Sequence, residues 1–121
     1  MARYEDLRVW QLSHALAQRV KALTNTFPAH ERYELTSQLR WAIRSVPANI
    51  VEGSGLRGPK AFARHVRIAL GSLREAEYLL LEAHGDGYVS DVVFAELKGE
   101  VRHVRILMFH LLKSLEAASN Q

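Results

Sequence analysis

Leu35-Thr-Ser-Gln-Leu-Arg-Trp-Ala-Ile-Arg-Ser-Val-Pro-Ala-Asn-Ile-Val-Glu-Gly-Ser-Gly-Leu-Arg-Gly58 decides how the rest of the chain reads. Leu35, Leu39, Ile43, Val46 and Ile50 recur at three- and four-residue steps, which is one face of an α-helix. Pro47 lies inside that helix, where it removes an amide donor and crowds the carbonyl of Ile43, at a cost of ~3 kcal/mol in a free helix. A helix that keeps such a residue must be held by packing. Beside the apolar stripe runs a polar row, Gln38, Ser45, Asn49 and Glu52.

Working outward, the same periodicity appears three more times. Val9, Leu12, Leu16, Val20, Leu23 and Phe27 form a stripe on a first helix, about residues 5–26, which Pro28 ends. The second helix spans about 31–53. Gly53, Gly55 and Gly58 make a loop, and Pro59 is well placed as the first residue of a third helix, about 59–84. That helix carries Phe62, Val66, Ala69, Leu73, Ala76, Leu80 and Ala83, and Gly85 and Gly87 stop it. Ser90 is a good cap for a fourth, about 91–118, with Leu97, Val101, Val104, Met108, Leu111 and Leu115 on its stripe. No segment alternates with period two. The expected fold is all-α, an antiparallel up-down-up-down four-helix bundle in a single domain over 1–121. Val93, Leu107 and Leu112 widen the fourth stripe, and Trp10 and Phe109 lie off the stripes, which points to self-association.

Composition narrows the function classes. The chain has 121 residues and no cysteine, so neither disulfides nor thiolate metal sites are available. Apolar runs such as Ile106–Phe109 fall far below the ~20 residues that cross a bilayer. Together with the polar start, this leads us to expect a soluble cytoplasmic protein with no membrane partner. The net charge is +3, and arginines outnumber lysines, as expected where planar carboxylates or phosphates are paired.

An antiparallel bundle sorts the charges. One pole should gather Arg3, Arg8, Arg57, Lys60, Arg64, Arg67, His110 and Lys113, and the other Glu31, Glu34, Glu82, Asp86, Asp91 and Glu96. A basic end holding a glycine loop and a helix N-terminus suits phosphate, so Arg3, Arg8, Arg57, Lys60, Arg64, Arg67 and Lys113 are the candidate RNA or DNA contacts. A solvated charged surface is the plainer alternative. The row Gln38, Ser45, Asn49, Glu52 faces a row on helix three, His65, Ser72 and Glu75, with Glu77 nearer the core. The register places Glu75 and Glu77 near Gln38, Arg40 and Arg44. These residues form either a buried polar network that fixes register or a groove for a partner.

No chemistry-bearing signature survives its context. Gly53-Ser-Gly-Leu-Arg-Gly58 spells G-x-G-x-x-G, but a helix precedes it and no strand exists for a dinucleotide fold. Glu100-Val-Arg-His103 is a Glu-x-x-His, of which a di-iron bundle needs two. No nucleophile has a base beside it in a recognisable pattern. The expectation is a protein that is not an enzyme and takes no metal or cofactor.

The pattern Glu5-Asp6-Leu7-x-Val9-Trp10, Phe27-Pro28, Glu31-Arg32-Tyr33-x-Leu35-Thr36-x-Gln38-Leu39-Arg40, Ser45-Val46-Pro47-Ala48-Asn49-Ile50-x-Glu52-Gly53 and Ala69-x-Gly71-Ser72-Leu73-x-Glu75-x-Glu77 resembles a known family. It is that of the small bundle proteins encoded by intervening sequences in bacterial 23S ribosomal RNA genes, with the accessory variability determinant proteins of diversity-generating retroelements as relatives. The resemblance implies a homopentameric ring without catalysis. In the retroelement branch it implies a basic ring that binds a reverse transcriptase and nucleic acid. The chain departs from the family pattern at Trp41, where a second arginine is usual, and at Pro59 and Ala61.

Overall fold

A computed structural model describes residues 3–120. Four helices follow one another: α1 (Arg8–Thr24), α2 (Leu35–Ser54), α3 (Pro59–Gly85) and α4 (Asp91–Ser119), with short 3-10 helices at Tyr4–Asp6 and Ala29–Glu31. No strand occurs among the described residues. The first two helices start later than periodicity suggests. Glu5 and Asp6 sit in the first 3-10 turn, and Leu7 is extended. Residues 29–34 use a 3-10 helix and a turn before α2 begins.

Cross-helix contacts fix the direction of each neighbour. Arg40 of α2 reaches Thr24 and Asn25 at the end of α1. Ser45 meets Ser72, and Asn49 meets His65, between α2 and α3. Arg67 pairs with Glu116, and Glu77 with Arg105, between α3 and α4. Arg19 on α1 bridges Glu96 and Glu100 of α4. All four seams are therefore antiparallel, and the bundle runs up, down, up, down.

The stripes read from sequence close on one another. Val20, Leu39, Val46, Ile50, Val66, Ala69, Ala76 and Met108 are fully buried. Val93, Leu107 and Leu112 pack half-buried against the same core, so this chain itself covers part of the extra width of α4. Phe109 stays 52% exposed. Alanines at 63, 69, 76 and 83 on α3 are buried and let α2 and α3, the most extensive pair, approach closely. Helix α2 continues through Pro47, which is buried; the burial of its ring offsets the lost hydrogen bond.

The turns carry the expected chemistry at two glycines. Gly58 (φ +86°) caps α3 ahead of Pro59. Gly87 (φ +83°) ends α3 in a left-handed residue, with Tyr88 N–H donating to Ala83 O at 2.9 Å and Gly87 N–H to His84 O at 3.0 Å, the Schellman pattern. Ser90 Oγ accepts from Val93 N–H at the start of α4.

Tyr88 ties that turn to the α1–α2 connection. Its ring packs on Phe27, and its hydroxyl donates to Glu31 Oε2 at 2.8 Å. The Glu31 carboxylate holds the phenol proton, burial adds to this, and the Tyr88 pKa is pushed up to about 12. The unfolded chain loses that proton near pH 10. Between about 10 and about 12 the folded state binds the extra proton, so stability falls as pH rises through that window. Tyr88→Phe is expected to flatten this alkaline limb relative to the parent, as read by unfolding midpoints across the window. An unchanged pH slope would disprove the Glu31–Tyr88 linkage.

Candidate functional site

Three surfaces hold polar chemistry. The first is the α2–α3 seam. Ser45 and Ser72 hydroxyls lie 2.8 Å apart, and Asn49 Nδ2 donates to Ser45 Oγ at 3.0 Å and to Ser45 O at 2.8 Å. His65 Nδ1 lies 3.0 Å from Asn49 Oδ1, with Glu52 4.0 Å away. This is a continuous half-buried chain, Ser72–Ser45–Asn49–His65. No buried side-chain nitrogen or oxygen among the described residues lacks a partner. The chain locks register through satisfied bonds. Gln38, Glu52 and Glu75 stand exposed along its outer edge.

Two arginines expected in this network are elsewhere. Arg40 donates Nε to Thr24 Oγ1 and an Nη to Asn25 Oδ1, each at 2.7 Å, closing the C-terminal end of α1. Arg44 lies over the Trp41 ring, 5.8 Å from its centroid. Glu77 faces α4 and pairs with Arg105. The reason is helical angle. Arg40 and Arg44 lie on the α1-side flank and outer side of α2, and Glu77 lies on the flank of α3 opposite Ser72. The contact of Glu75 and Glu77 with Arg40 and Arg44 is therefore replaced by two separate seams.

The second surface is the pole formed by the start of α1, the end of α2, the start of α3 and the end of α4. Arg3, Arg8, Arg57, Lys60, Arg64, Arg67 and Lys113 are all exposed there. Arg67 pairs with Glu116 at 2.7 Å, and Arg3 with Glu5. Arg8, Arg57, Lys60, Arg64 and Lys113 have no ion pair among the described residues. Asp6 and Glu52 share the pole, so its charge is basic but mixed.

Sequence reasoning missed the third surface. A groove of about 450 Å³ runs between α1 and α2. Ala17, Ile43, Pro47 and Val51 make its floor, and Trp10, stacked on His14 at 4.9 Å, closes one end. Lys21, Arg40 and Arg44 line the rim, and no carboxylate lines it. The signal in the sequence was Pro47, whose buried ring marks the floor.

Gly53 and Glu100, from the two remaining motifs, have structural contacts. Gly53 belongs to α2 rather than to a loop. A Cβ there would lie 2.8 Å from His65 Cβ and 2.9 Å from Phe62 Cδ1, so the glycine allows α3 to approach. Glu100 of the Glu-x-x-His is bonded to Arg19, and His103 is exposed. No group of three or more metal-ligating side chains gathers among the described residues. No described helix is long and apolar enough to cross a membrane.

This four-helix chain matches the family described as 23S rRNA-intervening sequence protein over residues 5–110. It belongs to that family. No curated protein matches it. The match to the 23S rRNA-intervening sequence proteins takes in the α2–α3 seam, the groove and most of the basic pole, and stops within α4.

Proposed function

We propose that this family member is a non-enzymatic, self-associating scaffold that holds RNA or DNA phosphates at its basic pole. The observation that carries the reading is the set of exposed, unpaired cations around the start of α3: Arg57, Lys60 and Arg64, with Arg8 and Lys113 on the neighbouring helices. They surround a helix N-terminus whose first amides favour anions. On several copies side by side these modest patches add through multivalency. A homopentamer, as the family resemblance implies, is the expected assembly, and no cofactor enters the reading.

The test is fluorescence anisotropy with a labelled single-stranded RNA across a salt series. Affinity should fall steeply with salt. Replacing Arg57, Lys60 and Arg64 together by alanine should weaken binding at every salt and reduce the log–log slope by about 2, at roughly 0.7 per lost phosphate contact. Salt-insensitive binding, or none at low salt, would refute the phosphate reading.

The mixed charge of the pole supports a second reading. Glu116 and Glu5 already neutralise Arg67 and Arg3, and alternating charge suits a protein surface more than a bare phosphate chain. In that reading the pole receives a protein partner, such as a reverse transcriptase in the retroelement relatives, without touching nucleic acid. Co-purification that survives nuclease treatment distinguishes it.

A further inference from the structure

We propose that the α1–α2 groove receives the outer stripe of α3 from a second copy of this chain, in a head-to-tail contact. The inference rests on the self-association reading above and names the two surfaces that would carry it.

The groove presents an apolar floor and three cations. Arg40 spends its bonds on the neutral Thr24 and Asn25, Arg44 on the Trp41 face, and Lys21 has no ion pair among the described residues. Positive charge around a greasy trough, with no carboxylate lining it, fits an acidic amphipathic rod.

The chain displays such a rod. Ile68, Gly71, Glu75, Tyr78 and Glu82 follow one another at steps of three and four along α3, and all are exposed. Ile68 and Tyr78 are 44% and 59% exposed. Glu75 and Glu82 have no ion pair among the described residues. Gly71 is the third sign. A mid-helix glycine costs about 1 kcal/mol against alanine, yet nothing of this chain lies within 4 Å of its missing Cβ. An approaching neighbour gives it a reason.

The spacings agree. With Glu75 at Arg44, Ile68 falls seven residues along α3 and meets Val51, seven residues along α2, both about 10.5 Å at 1.5 Å per residue. Glu82 then points toward Arg40 and Lys21, within reach of their long side chains. The incoming α3 runs antiparallel to α2, as the chain's own α3 does, so successive copies point the same way. Groove and stripe are different surfaces. Each copy therefore offers one and accepts one, which builds a ring or a filament and never a closed isologous dimer.

The experiment measures mass by light scattering at low salt, with helix content by circular dichroism. The parent is expected as a multimer. Glu75→Arg with Glu82→Arg, and separately Lys21→Glu with Arg44→Glu, should each fall to monomer mass with helix content intact. The chain carrying all four reversals should recover the multimer. Gly71→Leu, which raises helix propensity and whose Cβ meets nothing of this chain within 4 Å, should lose the multimer without losing the fold. If the paired reversals and Gly71→Leu keep the parental multimer, this contact is overturned while self-association stands. Failure of the folded four-reversal chain to recover also overturns it. A monomeric parent refutes self-association and this contact together.

Discussion

Leu39→Ala is expected to lower stability by about 2–5 kcal/mol, the largest single effect among simple truncations here. Leu39 has no exposed surface and stands one turn into the stripe of α2, the helix that packs against both α1 and α3. Its removal loses the transfer energy of the deleted carbons. It also leaves a cavity that neighbouring helices, pinned by Ser45–Ser72 on one side and Arg40–Thr24 on the other, cannot collapse to fill. For a chain of this size the melting midpoint should drop on the order of 10–20 °C. Val92→Ala, at a site 69% exposed, is the control and should stay within about 0.5 kcal/mol of the parent. A Leu39→Ala midpoint within a degree or two of the parent would mean that α2 is not the centre of the core.

Gly53→Ala should destabilise by about 1–3 kcal/mol, even though alanine is the better helix former. The added methyl meets His65 Cβ at 2.8 Å and the Phe62 ring at 2.9 Å. The ring can turn aside. His65 Cβ moves only if α3 moves, and that shift would also strain the Asn49–His65 bond at 3.0 Å. Gly55→Ala is the matched comparison. Its nearest contact is Glu52 O at 3.6 Å, an ordinary van der Waals distance, so little change is expected. Chemical denaturation of both variants decides the matter. Equal stabilities would show that the helices are not pressed together at Gly53.

Much of this was legible in the chain. Three- and four-residue steps located all four helices, because a buried stripe must keep the helical period. Pro59 and Ser90 marked the starts of α3 and α4, since their preferences are local. The starts of α1 and α2 were harder to read. A 3-10 turn satisfies the same local residues, and only its hydrogen bonds distinguish it from a first helical turn. That the row of Ser45 and Asn49 faces the row of His65 and Ser72 followed from an antiparallel register, while the individual pairs Ser45–Ser72 and Asn49–His65 come from the structure. The placements of Arg40 and Glu77 did not, because a flanking residue can lean to either neighbouring helix. That choice depends on which way the bundle turns, a three-dimensional quantity that stripes do not encode. The groove was hidden for the same reason: Lys21 comes from α1 and Arg40 and Arg44 from α2, and only the packing of the two helices brings them to one trough.

The four seams are unequal in strength. Helix α1, at 17 residues, is the shortest, and its side toward α4 is the least extensive of the four contacts, held at the surface by Arg19 reaching two half-exposed glutamates. Ion pairs of that kind each contribute well under 1 kcal/mol or so. The bundle is therefore expected to come apart in a set order. Under heat or load the first helix should peel back from its neighbours before the α2–α3 hairpin opens, which faster amide exchange in α1 than in α2 and α3 would register. What that opening bares is the row Val9, Leu16 and Val20, a sticky edge that invites clumping whenever the peeled form is crowded by its own kind.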